Sequence, residues 1–219
     1  MIEGVRLKVC GLTTLIDAEL ADQAGADYLG FILYPGSPRA VSLAQYRGMA
    51  ARLPERRRVA VCVEPTGDDL DRMLEAGFDF IQVHFRLEGD LARLGGWSER
   101  IGPDRLWLAP KLPPAEDVPD DVRRHARHIL LDTFHAGGFG GSGRPGDWEK
   151  FARHRAAFPE QVWILAGGLA PGNIGEALAV SGARFVDVNS GVEASPGIKD
   201  AAKLRELAAA LREAAARGR

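Results

Sequence analysis

Only two cysteines occur in the 219 residues, Cys10 and Cys62, too few for a disulfide framework; this points to a reducing, cytoplasmic setting. Neither charge is in excess, with 28 Lys and Arg against 30 Asp and Glu. The net charge of -2 supplies no attractive field for a polyanion, so no nucleic-acid partner is expected. No apolar run approaches the roughly 20 residues of a membrane span, and Met1–Arg6 lacks the apolar core of a secretory signal. Metal ligands are sparse too. Among His84, His125, His128, His135 and His154 only one pair is closely spaced: His125 and His128, set among Arg123, Arg124 and Arg127 with no third ligand. We read that pair as a solvated face and expect no metal. No Pro-rich or Ser-rich boundary divides the chain, so residues 1–219 read as one domain.

What the chain does have is a 46% hydrophobic composition arranged as short β-rich runs alternating with helical stretches. The runs are Val5–Cys10, Tyr28–Tyr34, Arg58–Val63, Phe78–Phe85, Leu106–Ala109, His128–Leu131, Val162–Ala166 and Phe185–Asn189. Among the helical stretches, Thr13–Ala24 opens at a capping Thr13 or Thr14 and stops before Gly25. Ser42–Leu53 opens at a capping serine and stops before Pro54, and Asp200–Arg217 carries a stripe of Leu204, Leu207, Leu211 and Ala215. Eight such units in about 220 residues predict an α/β fold, a single-domain (β/α)8 TIM barrel, with an open doubly wound sheet as the competitor. Pro110–Asp121 and Ala136–Gly146 read as long βα loops.

Chemistry in such barrels sits at the C-terminal strand ends. That rule selects Cys10-Gly11, Pro35–Arg39, Gln82–His84, Lys111, Asp132, Gly167-Gly168 and Asn189–Gly191. The site candidates among them are Cys10, Arg39, Gln82, His84, Asp132, Gly167, Gly168, Asn189, Ser190 and Gly191. Alternation puts Lys8 and Cys10 on one face of the first strand, inside the barrel, where a thiol beside a cation can serve as a proton acceptor once its pKa falls. Cys62 has no such context and reads as core. Asp132 ends the sixth strand and can hold a proton if partly desolvated. The glycine-rich run 137–143 behind it does not read as a nucleotide P-loop and suits a lid. Glycines after the seventh and eighth strands let backbone N–H groups approach a phosphate, so a small phosphorylated molecule is the expected partner. Asp187 shares a face with Asn189, and barrel closure would set it beside Lys8.

In order, Lys8-Val9-Cys10-Gly11-Leu12-Thr13, Gly25–Phe31, Ser37-Pro38-Arg39, Gln82-Val83-His84, Leu131-Asp132-Thr133, Ala166–Leu169, Val186–Glu193 and Pro196–Asp200 resemble the phosphoribosylanthranilate isomerase family over nearly the whole chain. The resemblance implies an Amadori rearrangement of an aminoaldose to an aminoketose, without cofactor or metal. It implies Cys10 as general base, Asp132 as general acid, Arg39 at the anthranilate end, and Gly168, Ser190 and Gly191 near the phosphate. The chain departs from the family pattern at Phe85, where glycine is usual, at Asn189, where serine is commoner, and at Leu106–Leu112, so Lys111 receives no role. A related isomerase of histidine biosynthesis has Asp where this chain has Cys10. A silent phosphate-binding barrel is disfavoured by Cys10 and Asp132 together.

Overall fold

A computed structural model describes residues 1–88, 91–113, 115–132 and 147–217. Elements alternate in the order β1 (Arg6–Val9), α1 (Leu15–Gln23), β2 (Tyr28–Ile32), α2 (Leu43–Ala50), β3 (Arg57–Val63), α3 (Gly67–Glu75), β4 (Phe80–Arg86) and α4 (Ala92–Ile101). They continue as β5 (Leu106–Lys111), α5 (Asp120–His125), β6 (His128–Leu131), α6 (Trp148–Ala157), β7 (Val162–Leu165), α7 (Ile174–Ser181) and β8 (Phe185–Val188). A two-stranded hairpin, β9 (Glu193–Ser195) and β10 (Ile198–Lys199), precedes α8 (Ala201–Arg217). The eight strands pair in order, and β8 returns to β1 in parallel, from Arg6 opposite Phe185 to Val9 opposite Val188. This closure is a TIM barrel and excludes the open sheet. Among the described residues no helix is long and apolar enough to cross a membrane.

The period of two along the strands sorts side chains between two cores. In β3, Val59 and Val61 face the barrel interior while Ala60 and Cys62 face the helices; in β1, Leu7 and Val9 face the helices and Lys8 faces inward. Aromatic rings fill the lower interior. Tyr28 stacks on Phe185 with ring centres 4.8 Å apart, and Trp107 stacks on His128 at 5.4 Å. That contact corrects the expected solvated face: α5 ends at His125 and β6 begins at His128, so the two histidines lie on different elements, and His128 is buried.

Helix starts follow local hydrogen bonding. Thr14, not Thr13, caps α1 by accepting from the Asp17 N–H, and Ser42 exchanges capping-box bonds with Gln45. β4 continues through Phe85 to Arg86, and Phe85 turns outward, edge-on to Trp97 at 5.8 Å. The stretch from Pro110 is less irregular than expected, since β5 keeps Pro110 and Lys111 and α5 starts at Asp120. The glycine-rich run 137–143, expected as a lid, lies outside the described residues.

Candidate active site

At the C-terminal mouth a cavity of about 210 Å³ is lined by Cys10 after β1, Arg39 after β2, Gln82 and His84 of β4, and Asp132 after β6. Gly167, Gly168, Asn189 and Ser190, after β7 and β8, line the same space. Of the site candidates expected from sequence all line it except Gly191, while Gly11 and Lys111, also at strand ends, do not. A Cβ on Gly191 would lie 2.1 Å from the Leu169 carbonyl oxygen and 2.9 Å from the Ala170 Cβ, so this glycine lets the β7 and β8 loops touch behind the cavity. Gly191→Val should therefore lower the urea midpoint, by an overpacking cost of about 1–3 kcal/mol or more. Unchanged stability would contradict the packing role. Gly167 and Gly168 have φ of +90° and +62°, which only glycine adopts at little cost.

The floor of the cavity is a buried polar chain. Lys8, wholly buried, donates to Asp187 Oδ2 at 2.7 Å and to Gln82 Oε1 at 2.9 Å. The Gln82 Nε2 lies 2.8 Å from His84 Nε2. The crowding explains Gly30 of β2, where a Cβ would sit 2.8 Å from Lys8 Cε and 3.1 Å from Cys10 Sγ. Burial opposes the Lys8 charge, yet Asp187 and Cys10 facing it hold its pKa above the ordinary value. The expectation for Cys10 is corrected here: burial outweighs the pull of Lys8 and Lys199 and pushes the thiol pKa up.

Burial and the Lys8 charge push His84 down to about 4, and burial with Arg6 and Arg127 nearby does the same for His128. Both folded values lie below the unfolded one of about 6.5. The unfolded chain therefore binds more protons as pH falls from about 6.5 to about 4, and stability is lost across that window. Urea midpoints measured between pH 7 and pH 4.5 should decline, and His128→Phe should remove about half of the histidine contribution. An unchanged midpoint down to pH 5 would contradict neutral rings at His84 and His128.

One cluster had no counterpart in the sequence reading. Arg39 donates from Nε to both Glu193 oxygens at 2.9 and 3.0 Å and from Nη2 at 2.7 Å. Lys199 Nζ donates to Glu193 Oε1 at 2.9 Å and to Asn189 Oδ1 at 3.0 Å. Burial works against the Glu193 charge, but its bonds to Arg39 and Lys199 outweigh it and hold the carboxyl below the usual range. The Asn189 departure thus acquires a partner, Lys199. The signal available in sequence was Pro196-Gly197, a turn that folds Lys199 back opposite Glu193. Two cations share one carboxylate here, so this cluster by itself carries one positive charge beside the cavity.

A closed parallel barrel with a thiol, a carboxyl, an arginine and a glycine-lined corner around one terminal cavity defines an enzyme of the (β/α)8 class. Residues 7–210 match the family model described as N-(5'-phosphoribosyl)anthranilate (PRA) isomerase. The isomerase of that name from Pseudomonas putida is 39% identical over 97% of this chain and 100% of the relative; that from Neisseria gonorrhoeae is 38% identical over 91% and 93%. The crystal structure of the Thermus thermophilus enzyme superposes with a TM-score of 0.78 at 33% identity, covering 95% of this chain and 99% of that one. A phosphoribosyl anthranilate isomerase solved in complex with reduced 1-(o-carboxyphenylamino)-1-deoxyribulose 5-phosphate gives 0.75 at 31% identity, with 95% and 99% covered. The chain belongs to the N-(5'-phosphoribosyl)anthranilate isomerase family and is an isomerase.

Proposed function

We propose that this cavity converts N-(5'-phosphoribosyl)anthranilate to 1-(2-carboxyphenylamino)-1-deoxyribulose 5-phosphate, a step of tryptophan biosynthesis, by general acid–base catalysis. The observation that carries it is the meeting of Cys10 and Asp132 on one cavity, with Arg39 to one side and the Gly167-Gly168 and Ser190 corner to the other. Asp132 delivers a proton to the ribose ring oxygen and opens the ring; Cys10 then removes the proton from the second carbon. The phosphate lies against the backbone of the glycine corner, and the aromatic carboxylate meets Arg39. Glu193 engages the Nε and Nη2 edge of Arg39, so the substrate carboxylate takes the guanidinium N–H groups that remain. We read residues 1–219 as one catalytic domain, supported by the β1–β8 closure, and place it in the cytoplasm, supported by the unpaired Cys10 and Cys62.

Consumption of freshly made phosphoribosylanthranilate by the purified protein tests the reading, and inorganic phosphate should inhibit competitively. Arg39→Lys should raise KM more than it lowers kcat, because an ammonium copies the paired guanidinium contacts poorly. Normal kinetics in Arg39→Ala would move the anthranilate end elsewhere. No consumption by the unaltered enzyme would overturn the function itself.

A further inference from the structure

The cavity floor contains more order than acid–base roles require. The Lys8 ammonium has donors and no acceptor. One N–H goes to Asp187 Oδ2 at 2.7 Å and one to Gln82 Oε1 at 2.9 Å. Gln82 therefore turns its oxygen to Lys8 and its NH2 group to His84 Nε2, 2.8 Å away. The flipped amide would set donor against donor. An amide NH2 only donates, so His84 Nε2 accepts, and the proton of the neutral ring sits on Nδ1. At the other end, Asp187 spends Oδ2 on Lys8, while Oδ1 is buried without a hydrogen-bond partner among the described residues. Asp187 is 8% exposed and, like His84, lines the cavity.

We infer that the chain Asp187–Lys8–Gln82–His84 has one fixed direction, in which Lys8 and Gln82 are positioning residues that make His84 an Nδ1–H donor to the ligand and leave Asp187 Oδ1 an acceptor for it. The cavity thereby takes a ligand donor on its β8 side and a ligand acceptor on its β4 side. A buried acceptor is costly to leave unpaired, and a sugar hydroxyl satisfies it. Resting on the function proposed above, that hydroxyl is the one borne by the carbon from which Cys10 takes its proton, since Asp187 and Cys10 both flank Lys8.

Long-range proton–nitrogen NMR of the full chain labelled with nitrogen-15 histidine reads the tautomer directly, with His84→Asn assigning the signals. Between pH 6 and 8, His84 should carry its proton on Nδ1. Gln82→Glu offers a carboxylate that only accepts, so His84 should shift its proton to Nε2 or gain a second one. Gln82→Met, should the first variant fail to fold, should give a mixture of tautomers. A wild-type ring protonated on Nε2, or a tautomer unmoved in the variant that folds, overturns the directed chain. For the acceptor end, ribose 5-phosphate should inhibit about tenfold or more better than 2-deoxyribose 5-phosphate, a preference of the size one lost polar contact gives, and Asp187→Ala should level the two. Equal inhibition by both in the unaltered enzyme, or none by either, overturns the Asp187 role. The expected tautomer in a protein that does not consume phosphoribosylanthranilate would sink the proposed function and leave this inference standing; the reverse result would do the opposite.

Discussion

Cys10→Ala is expected to leave a folded protein that turns over phosphoribosylanthranilate about 10²-fold or more slowly, and Asp132→Asn to do the same. Opening the furanose needs a proton placed on the ring oxygen; forming the enol needs one taken from carbon. One group of middling pKa serves both steps badly, whereas two groups in different surroundings can be tuned apart. The surroundings do differ. Cys10 is 4% exposed among interior residues, with Lys8 beside it, while Asp132 is only half-buried just beyond β6. Because burial holds the thiol above its ordinary pKa, the thiolate is scarce at neutral pH in the empty site, and kcat/KM should rise with pH from 7 towards 9. Cys10→Ser, with a far weaker base, should make proton abstraction limiting and show a primary isotope effect with deuterium at the second carbon. Near-unaltered turnover in Cys10→Ala removes Cys10 from the mechanism.

The barrel was legible because its strands are short β-rich runs and its helices carry capping residues, Gly or Pro stops, or, in the last helix, an apolar stripe. His128–Leu131 was delimited to the residue, and the other strands to within two residues at either end. His128 is placed correctly at a strand start, but the basic run 123–128 suggests a shared solvated face with His125, which ends a helix instead. No one-dimensional pattern shows that Trp107, from the neighbouring strand, covers the imidazole. Legibility at the site followed the same line. Cys10, Asp132, Gly167 and Gly168 are marked by their place at strand ends, and alternation gave Lys8 its inward direction. Gly191 was marked equally well, and its close approach to the Leu169 carbonyl of another loop is a packing demand that no strand-end rule shows. Glu193 and Lys199 sit beyond the last barrel strand, where the strand-end rule does not reach. Their role comes from a hairpin tied to α1, through Thr13 donating to the Gly197 carbonyl and Lys199 N–H donating to Asp17.

The largest loss of stability is expected from Lys8→Met. The side chains are similar in length, so packing is nearly kept, but Asp187 is left charged in the barrel interior without the ammonium 2.7 Å away. Removing one partner of a buried pair costs about 3–5 kcal/mol, against roughly 5–15 kcal/mol for the whole stability of a typical protein. The urea midpoint at pH 7 should fall accordingly, and Asp187→Leu should fall by a comparable amount because it strands the Lys8 charge. The double substitution Lys8→Met/Asp187→Leu removes both charges and should recover part of the loss, by about 0.5–3 kcal/mol relative to the sum of the singles. Recovery will be incomplete, because Gln82 Oε1 loses the donor that holds it and with it the orientation of the amide towards His84. Strict additivity of the two single losses would show that Lys8 and Asp187 do not interact, and would leave the floor of the cavity without the anchor from which its hydrogen bonds take their direction.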